Sequence, residues 1–294
     1  MQQAPAQGRM PSLSEWCRQG GFSRQSYYQW LKRQQLKCLQ GEIIVQLVRE
    51  QKRLLPRSGG LKMLHLIRPD LQRMGMDIGR DRFFELLGDH DLLVKRRAKK
   101  SVVTTWSDHS FRVYPNLIQE LDVPRVGQVM VADITYVRTL EGFLYLALLT
   151  DVFSRKIIGW DLSDSLELEG CLRALKKALR ALSGSHQKQQ EQAIHHSDRG
   201  SQYCSLVYTQ TLKEHGILIS MAAKGNCYQN ALAERLNGIL KDEFELGQTF
   251  IDKQQARIAT KDGIQRYNHI RPHRHLNMRI PNDVFESNIK ELFV

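Results

Sequence analysis

Residues 128–137 read QVMVADITYV. β-Branched and aromatic side chains dominate this stretch, which predicts a strand. Asp133 stands in its middle, and aspartate is disfavoured inside strands, so an acid there needs a reason. Working outward, the texture stays β-like. A turn at Glu141-Gly142 leads to a second strand over 143–153 and a third over 156–162. The short turns predict an antiparallel meander. In 167–182, Leu172, Leu175, Leu179 and Leu182 form one helical stripe. A Gln-rich loop (183–192) precedes a short strand (193–196), a helix (201–215), a strand (217–221), a long helix from about 229 to 246 and a last helix over 253–267. Three strands followed by alternating helices and strands predict an α/β fold with a mixed sheet flanked by helices. A Rossmann repeat would alternate from the start.

Two further acids stand out by position. Asp198 closes the short strand in HHSDRG (195–200), and Glu234 sits on the long helix in NALAERL (230–236). Ala231, Leu232 and Ala233 predict close packing of that helix on the sheet. If the first strand is central, Asp198 ends the strand beside it and the helix crosses the same edge. Three converging carboxylates raise one another's pKa values, and a divalent cation relieves that conflict. Oxygen-only ligands select Mg²⁺ or Mn²⁺, and two such ions suit phosphodiester displacement. Any three of 31 acids could be grouped after the fact. What distinguishes these is spacing: 64 residues lie between Asp133 and Asp198, and 35 between Asp198 and Glu234.

The 294 residues leave room for about two domains. Hydrophobic residues make up 41%, enough for a core. The apolar run 143–149 is far short of the ~20 residues a membrane helix needs, and the polar first ten residues lack a signal-peptide pattern. The net charge of +12 is uneven: residues 1–124 hold 21 basic and 12 acidic residues, the rest 22 and 19. A basic front half predicts a polyanionic partner, nucleic acid first. Five scattered cysteines without a CxxC argue for a reducing compartment and against a structural zinc site.

Within that front half, Leu13 to Arg18, a Gly20-Gly21 turn and a helix from Arg24 to Gln35 capped by Ser23 have the shape of a helix-turn-helix. Arg24, Tyr27 and Tyr28 are its candidate DNA contacts. A second helical segment spans about 42–93. The run KRRAKK (95–100) follows it and is read as a linker tracking phosphates. The expected organisation is a helix-turn-helix-like segment (1–40), a helical DNA-binding module with basic linker (41–100) and a catalytic core with C-terminal helices (120–294).

Several stretches, in order, resemble the OrfB-type transposases of bacterial insertion sequences. They are DITYV at Asp133, YLALLTDVFSRKIIGW from Tyr145, HHSDRGSQY at Asp198, KGNCYQNALAERLNGILKDE around Glu234 and YNHIRPHRHL from Tyr267. The resemblance implies a retroviral-integrase-like (DDE) core with a ribonuclease H-like five-stranded mixed sheet, preceded by an all-α region. It implies that Asp133, Asp198 and Glu234 are the catalytic, metal-binding triad. Lys241, two helical turns after Glu234, would hold DNA near the metals. Lys224, Gly225 and Asn226 would form a loop approaching DNA. Ser201, Gln202 and Tyr203 would edge the site, or equally form a helix cap and first turn. The chain departs from the family at Gln229, where Asp is usual, and at Val129, where Trp is common. The adjacent His195 and His196 point to opposite faces of a strand and read as packing or substrate-edge groups. Asp151 and Arg155 read as a structural pair at a strand turn.

The expected activity is metal-dependent cleavage at element ends followed by strand transfer, with Mg²⁺ or Mn²⁺ as cofactor, on double-stranded DNA in the bacterial cytoplasm at the nucleoid. Joining two ends predicts a homo-oligomer. The alternative is a DNA-binding regulator with little activity unless fused to an upstream frame, this chain being the downstream product alone. A ribonuclease H-type nuclease acting on hybrids is the third reading.

Overall fold

The computed structural model describes residues 12–95, 111–183, 193–223 and 231–291. Two compact units emerge: one comprises Met1–Gln51 and Met63–Leu93, the other Lys52–Lys62 and Val94–Val294. The run at 96–100 lies outside the described residues.

The first unit is helical. Helix α1 (Leu13–Gln19) opens on a capping box in which Ser12 Oγ accepts from the Glu15 N–H while Glu15 accepts from the Ser12 N–H at 2.6 Å. Gly21, at φ 72°, makes the turn. Ser23 Oγ then accepts from the Ser26 N–H at 3.0 Å and starts α2 (Arg24–Leu54), as its cap position suggests. The expected stop near Gln35 is absent. Residues 36–40 contain no helix breaker, and Gly41 alone costs only about 1 kcal/mol. The helix therefore runs on to Leu54, and the expected division at 40/41 falls inside it. Helices α3 (Gly60–Arg73) and α4 (Arg80–Asp89) complete the helical region. Buried Ile44, Val45, Val48, Ile67, Phe83 and Leu87 supply this unit's apolar interior.

The second unit is built on a sheet. Strands β1 (Val129–Thr139), β2 (Gly142–Asp151) and β3 (Ile157–Ser163) form the expected antiparallel meander. Strands β4 (Ile194–Ser197) and β5 (Leu218–Met221) join in parallel on the other side of β1, giving the order β3-β2-β1-β4-β5. This mixed order is the ribonuclease H-like one. A sixth, two-residue strand, β6 (Thr249–Phe250), pairs with the C-terminal end of β1. Among the described residues, six α-helices accompany the sheet: α5 (Leu168–Ser183), α6 (Ser201–Cys204), α7 (Leu206–Glu214), α8 (Ala231–Glu243), α9 (Lys253–His269) and α10 (Pro281–Glu291). The single helix expected over 201–215 is broken at Ser205. That residue is extended (ψ 146°), and its hydroxyl accepts from the Tyr208 N–H to cap α7.

Alternation along β1 sorts its side chains between two faces. Met130 and Ala132 join Ala147 and Leu149 of β2 in a core closed by Ala174, Leu175 and Ala178 of α5 and Tyr208 and Leu212 of α7. Val131, Asp133 and Thr135 point to the opposite face, towards α8 and α9. Close approach of α5 depends on Gly159 in β3, where a Cβ would meet the Ala174 carbonyl oxygen at 2.3 Å and the Ala178 backbone nitrogen at 2.8 Å. Neither backbone atom can yield without moving the helix. Gly159→Ala is expected to cost about 3 kcal/mol and to lower Tm by roughly 6 to 10 °C in thermal unfolding. An unchanged Tm would show that α5 has slack at this contact.

The C-terminal motif works as structural cement. Asn268 clamps β3 by accepting from the Ile157 N–H and donating to the Ile157 carbonyl, both at 2.9 Å. Arg271 makes a two-pronged pair with Glu243 at 2.9 and 2.7 Å, and Lys62 joins the same carboxylate at 2.7 Å. Burial alone would raise the Glu243 pKa; the two cations hold it below its ordinary value.

Candidate active site

The parallel register of β1 and β4 positions the first two acids. Val131 pairs with His196. Two residues further along each chain come Asp133, inside β1, and Asp198, just past the end of β4, so they stand level on neighbouring strands whose axes are about 4.8 Å apart. Asp198 is partly buried just beyond β4, and its Oδ1 accepts from the Gly200 N–H at 2.9 Å. A Cβ on Gly200 would press on that oxygen at 3.0 Å, so glycine leaves room for the carboxylate to fold back.

Glu234 arrives from α8. It lies in the helix's first turn with its side chain exposed, and a carboxylate there is favoured by the helix dipole. Glu234, Asn237 and Lys241 follow at i, i+3 and i+7 and therefore share one stripe. Asn237 donates its side-chain amide to Asp133 Oδ2 at 2.6 Å. Sequence reading missed Asn237; its signal is its place between the two residues singled out on α8. The Lys241 ammonium sits 4.4 Å from the centre of the Tyr136 ring, and its charge acts on Asp133. Desolvation lowers the Lys241 pKa.

Asp133 carries the electrostatic signature of the site. Its pKa is pushed up to about 8, first by desolvation and then by the charges of Asp198 and Glu234. The three acids thus occupy one electrostatic neighbourhood, although they are not drawn to a single point. Among the described residues, no three His, Cys, Asp or Glu side chains form a group that could hold one ion. Glu234 is the exposed member of the three.

The remaining candidates divide. Tyr203 lies in the one-turn helix α6, with its ring edge-on to Tyr208 at 5.4 Å and its hydroxyl buried without a partner. Gln202 donates to the Leu166 carbonyl at 2.8 Å. His195 and His196 are both buried: His195 Nε2 bonds the Tyr208 hydroxyl at 3.0 Å, and His196 Nδ1 bonds Ser220 Oγ at 2.8 Å. Asp151 accepts from the Gly127 N–H, the Ser154 N–H and the Ser154 hydroxyl at 2.6 to 2.8 Å, while the Arg155 N–H donates to the Asp151 carbonyl. Arg24, Tyr27 and Tyr28 lie at the start of α2, where Tyr27 is half-buried and flanked by the rings of Tyr28 and Trp30. Lys224, Gly225 and Asn226 lie outside the described residues.

Comparison with known proteins gives this geometry a family. Residues 123–227 match a model described as an integrase core domain, and residues 215–281 match a second model of that description. The chain is 35% identical over 268 residues to a Shigella sonnei protein, the uncharacterized 31 kDa protein of insertion element IS600, covering 88% of this chain and 93% of that one. It belongs to the integrase-core transposases of insertion sequences. It is also 37% identical to the Shigella sonnei transposase for element IS629 over 201 residues, covering 68% of this chain and 66% of that one. Its identity to Escherichia coli transposase InsF of element IS3A is 37% over 180 residues, covering 60% and 61% of the two chains. Among solved structures, the HTLV-2 integrase catalytic core resembles it with a TM-score of 0.42 at 14% identity, covering 55% of this chain and 98% of that one. The fold assignment itself rests on the strand order. By family this transposase is a polynucleotidyl transferase. No helix among its described residues is long and apolar enough to cross a membrane.

Proposed function

We propose that this transposase cleaves DNA at the ends of its insertion element and joins the freed ends to a target, with Asp133, Asp198 and Glu234 as its metal-holding carboxylates. The charge conflict at Asp133 carries the reading. A half-buried, desolvated acid with two acidic neighbours is an unfavourable arrangement that a bound divalent cation would relieve. The donor set fits: it is all oxygen, which suits Mg²⁺ or Mn²⁺. A pair of such ions supplies activation of the attacking hydroxyl and stabilisation of the leaving oxygen in an in-line displacement.

The chain's own groups do the rest. Asn237 fixes the orientation of Asp133 by holding one carboxylate oxygen. The Gly200 amide does the same for Asp198. Lys241 keeps a positive charge beside Asp133 and offers a phosphate contact. Lys224, Asn226, Arg24 and Tyr27 are proposed further DNA contacts. Joining two ends calls for a homo-oligomer, working in the bacterial cytoplasm at the nucleoid. Fusion to an upstream frame is a proposed further requirement.

The test is cleavage of duplex DNA carrying the element's terminal repeats. With Mg²⁺ the expected products are nicks with 3′-hydroxyl termini and joined strands; with EDTA neither forms. Equal cleavage in EDTA, or cleavage of RNA–DNA hybrids alone, would refute the proposal.

A further inference from the structure

A cavity of about 210 Å³ opens beside α8 in the second unit. Leu232, Leu236 and Ile239 form an apolar wall on the helix. Arg155, Arg235 and His275 bring cationic or cation-capable groups to the cavity, His273 adds a neutral imidazole, and none of its described lining residues is acidic. Two of its polar atoms are buried without a hydrogen-bond partner, Arg155 Nε and His273 Nδ1. Orphaned buried groups of this kind cost about 1 to 3 kcal/mol each, and in a native protein they mark a site for something else.

The backbone adds an independent sign. Arg155 is held at φ 64°, a left-handed conformation costly for a residue with a side chain. It is locked there by the Tyr267 hydroxyl donating to its carbonyl at 2.9 Å and by its own N–H on Asp151. The carboxylate acting on Arg155, that of Asp151, already accepts three hydrogen bonds from Gly127 and Ser154. Desolvation, then the charges of Arg271 and Arg155, drive the His273 pKa down to about 3. With no acid among its described lining residues and the Asp151 carboxylate already engaged, the cavity is short of negative charge.

We infer that this cavity seats a backbone phosphate of the DNA strand, held by the guanidinium groups of Arg155 and Arg235 with His275 at its side. Arginine is the side chain best matched to phosphate. The placement fits the helix: Leu232, Arg235, Leu236 and Ile239 lie on one side of α8, while Glu234, Asn237 and Lys241 occupy another. The two stripes are separated by about one helix diameter, roughly 10 Å. A strand advances about 3.4 Å per nucleotide, so the seated phosphate would lie a few nucleotides from the reacting one. From the proposed function the inference takes only that the polyanion is DNA.

The experiment is binding without chemistry: the full chain in EDTA, titrated with duplex DNA at several salt concentrations, with the imidazole NMR signals of His273 and His275 followed alongside. Each phosphate contact contributes about −0.9 to the slope of log affinity against log salt. Arg235→Gln, at an exposed position, is expected to make the slope shallower by about one and to weaken binding several-fold. Arg155→Lys, which keeps the charge but loses the fork, is expected to weaken binding with little change of slope. DNA is expected to shift both histidine signals. An unchanged slope and affinity for Arg235→Gln, or histidine signals that DNA leaves in place, would overturn the inference. If inorganic phosphate moves those signals and DNA does not, the site takes a free anion and the DNA assignment falls. None of these results bears on Glu234-dependent cleavage, so the pocket can fail while the carboxylate reading stands.

Discussion

Glu234→Gln is expected to reduce strand cleavage and strand transfer by roughly a thousandfold. On the proposed role, losing this carboxylate removes several kcal/mol of transition-state stabilisation, and about 4 kcal/mol corresponds to a factor of a thousand. The fold should be indifferent. Glu234 is exposed in the first turn of α8 and cements no core contact; the helix-dipole loss is at most about 1 kcal/mol. Binding of end DNA should survive, since the change removes a negative charge from the site proposed to meet DNA. Gel assays of cleavage beside anisotropy measurements separate the two effects. Cleavage within tenfold of wild type would mean that Glu234 does not serve the chemistry.

The second large effect runs in the opposite direction. Asp133→Asn is expected to abolish cleavage yet stabilise the protein in chelator at pH 8. The Asp133 carboxyl titrates near 8 in the fold but near 3.9 in an unfolded chain. Between those values the folded chain keeps a proton that the unfolded chain has released. Stability therefore falls as pH rises through this window. Asparagine removes the titration, and its carbonyl can still accept from Asn237. We expect the variant to match wild type near pH 4 and exceed it by about 2 kcal/mol at pH 8, a figure kept below the full linkage value because the site is partly open to solvent. The comparison isolates Asp133. His195 and His273, lowered to about 3 by burial, lose stability on acidification below about 6.5 in both proteins. A variant less stable than wild type at pH 8 would show that Asp133 is a structural acid. The destabilising acid is the kind of local cost that a functional site imposes on its fold.

Much of this was legible in residue order, for identifiable reasons. The near-continuous run of apolar and β-branched residues around Asp133 marks a strand with two covered faces, and the short turns at Glu141-Gly142 and before Lys156 favour a meander. The short strand ending at Asp198 pairs beside β1, as a central first strand predicts, and its register brings the two acids level. Other features leave no local trace. Ser205 looks like any helix-tolerated serine until its extended backbone shows it capping α7. The length of α2 is hidden because residues 36–40 neither favour a break nor need a partner to continue. Strand β6 is two residues long and exists only through its pairing with β1. Asn237 was within reach, lying on the Glu234–Lys241 stripe, but an asparagine on a helix signals nothing until its partner is known. The cavity beside α8 depends on the left-handed backbone of Arg155 and on Tyr267, which are distant in sequence.

The central claim is that Asp133 and Asp198 hold a divalent cation, with Glu234 completing the site. Anomalous diffraction from crystals of the protein soaked in Mn²⁺ tests it most directly. The account predicts a manganese peak between the carboxylates of Asp133 and Asp198, absent from crystals of Asp133→Asn. Manganese bound elsewhere, with no peak at those two side chains, would contradict it.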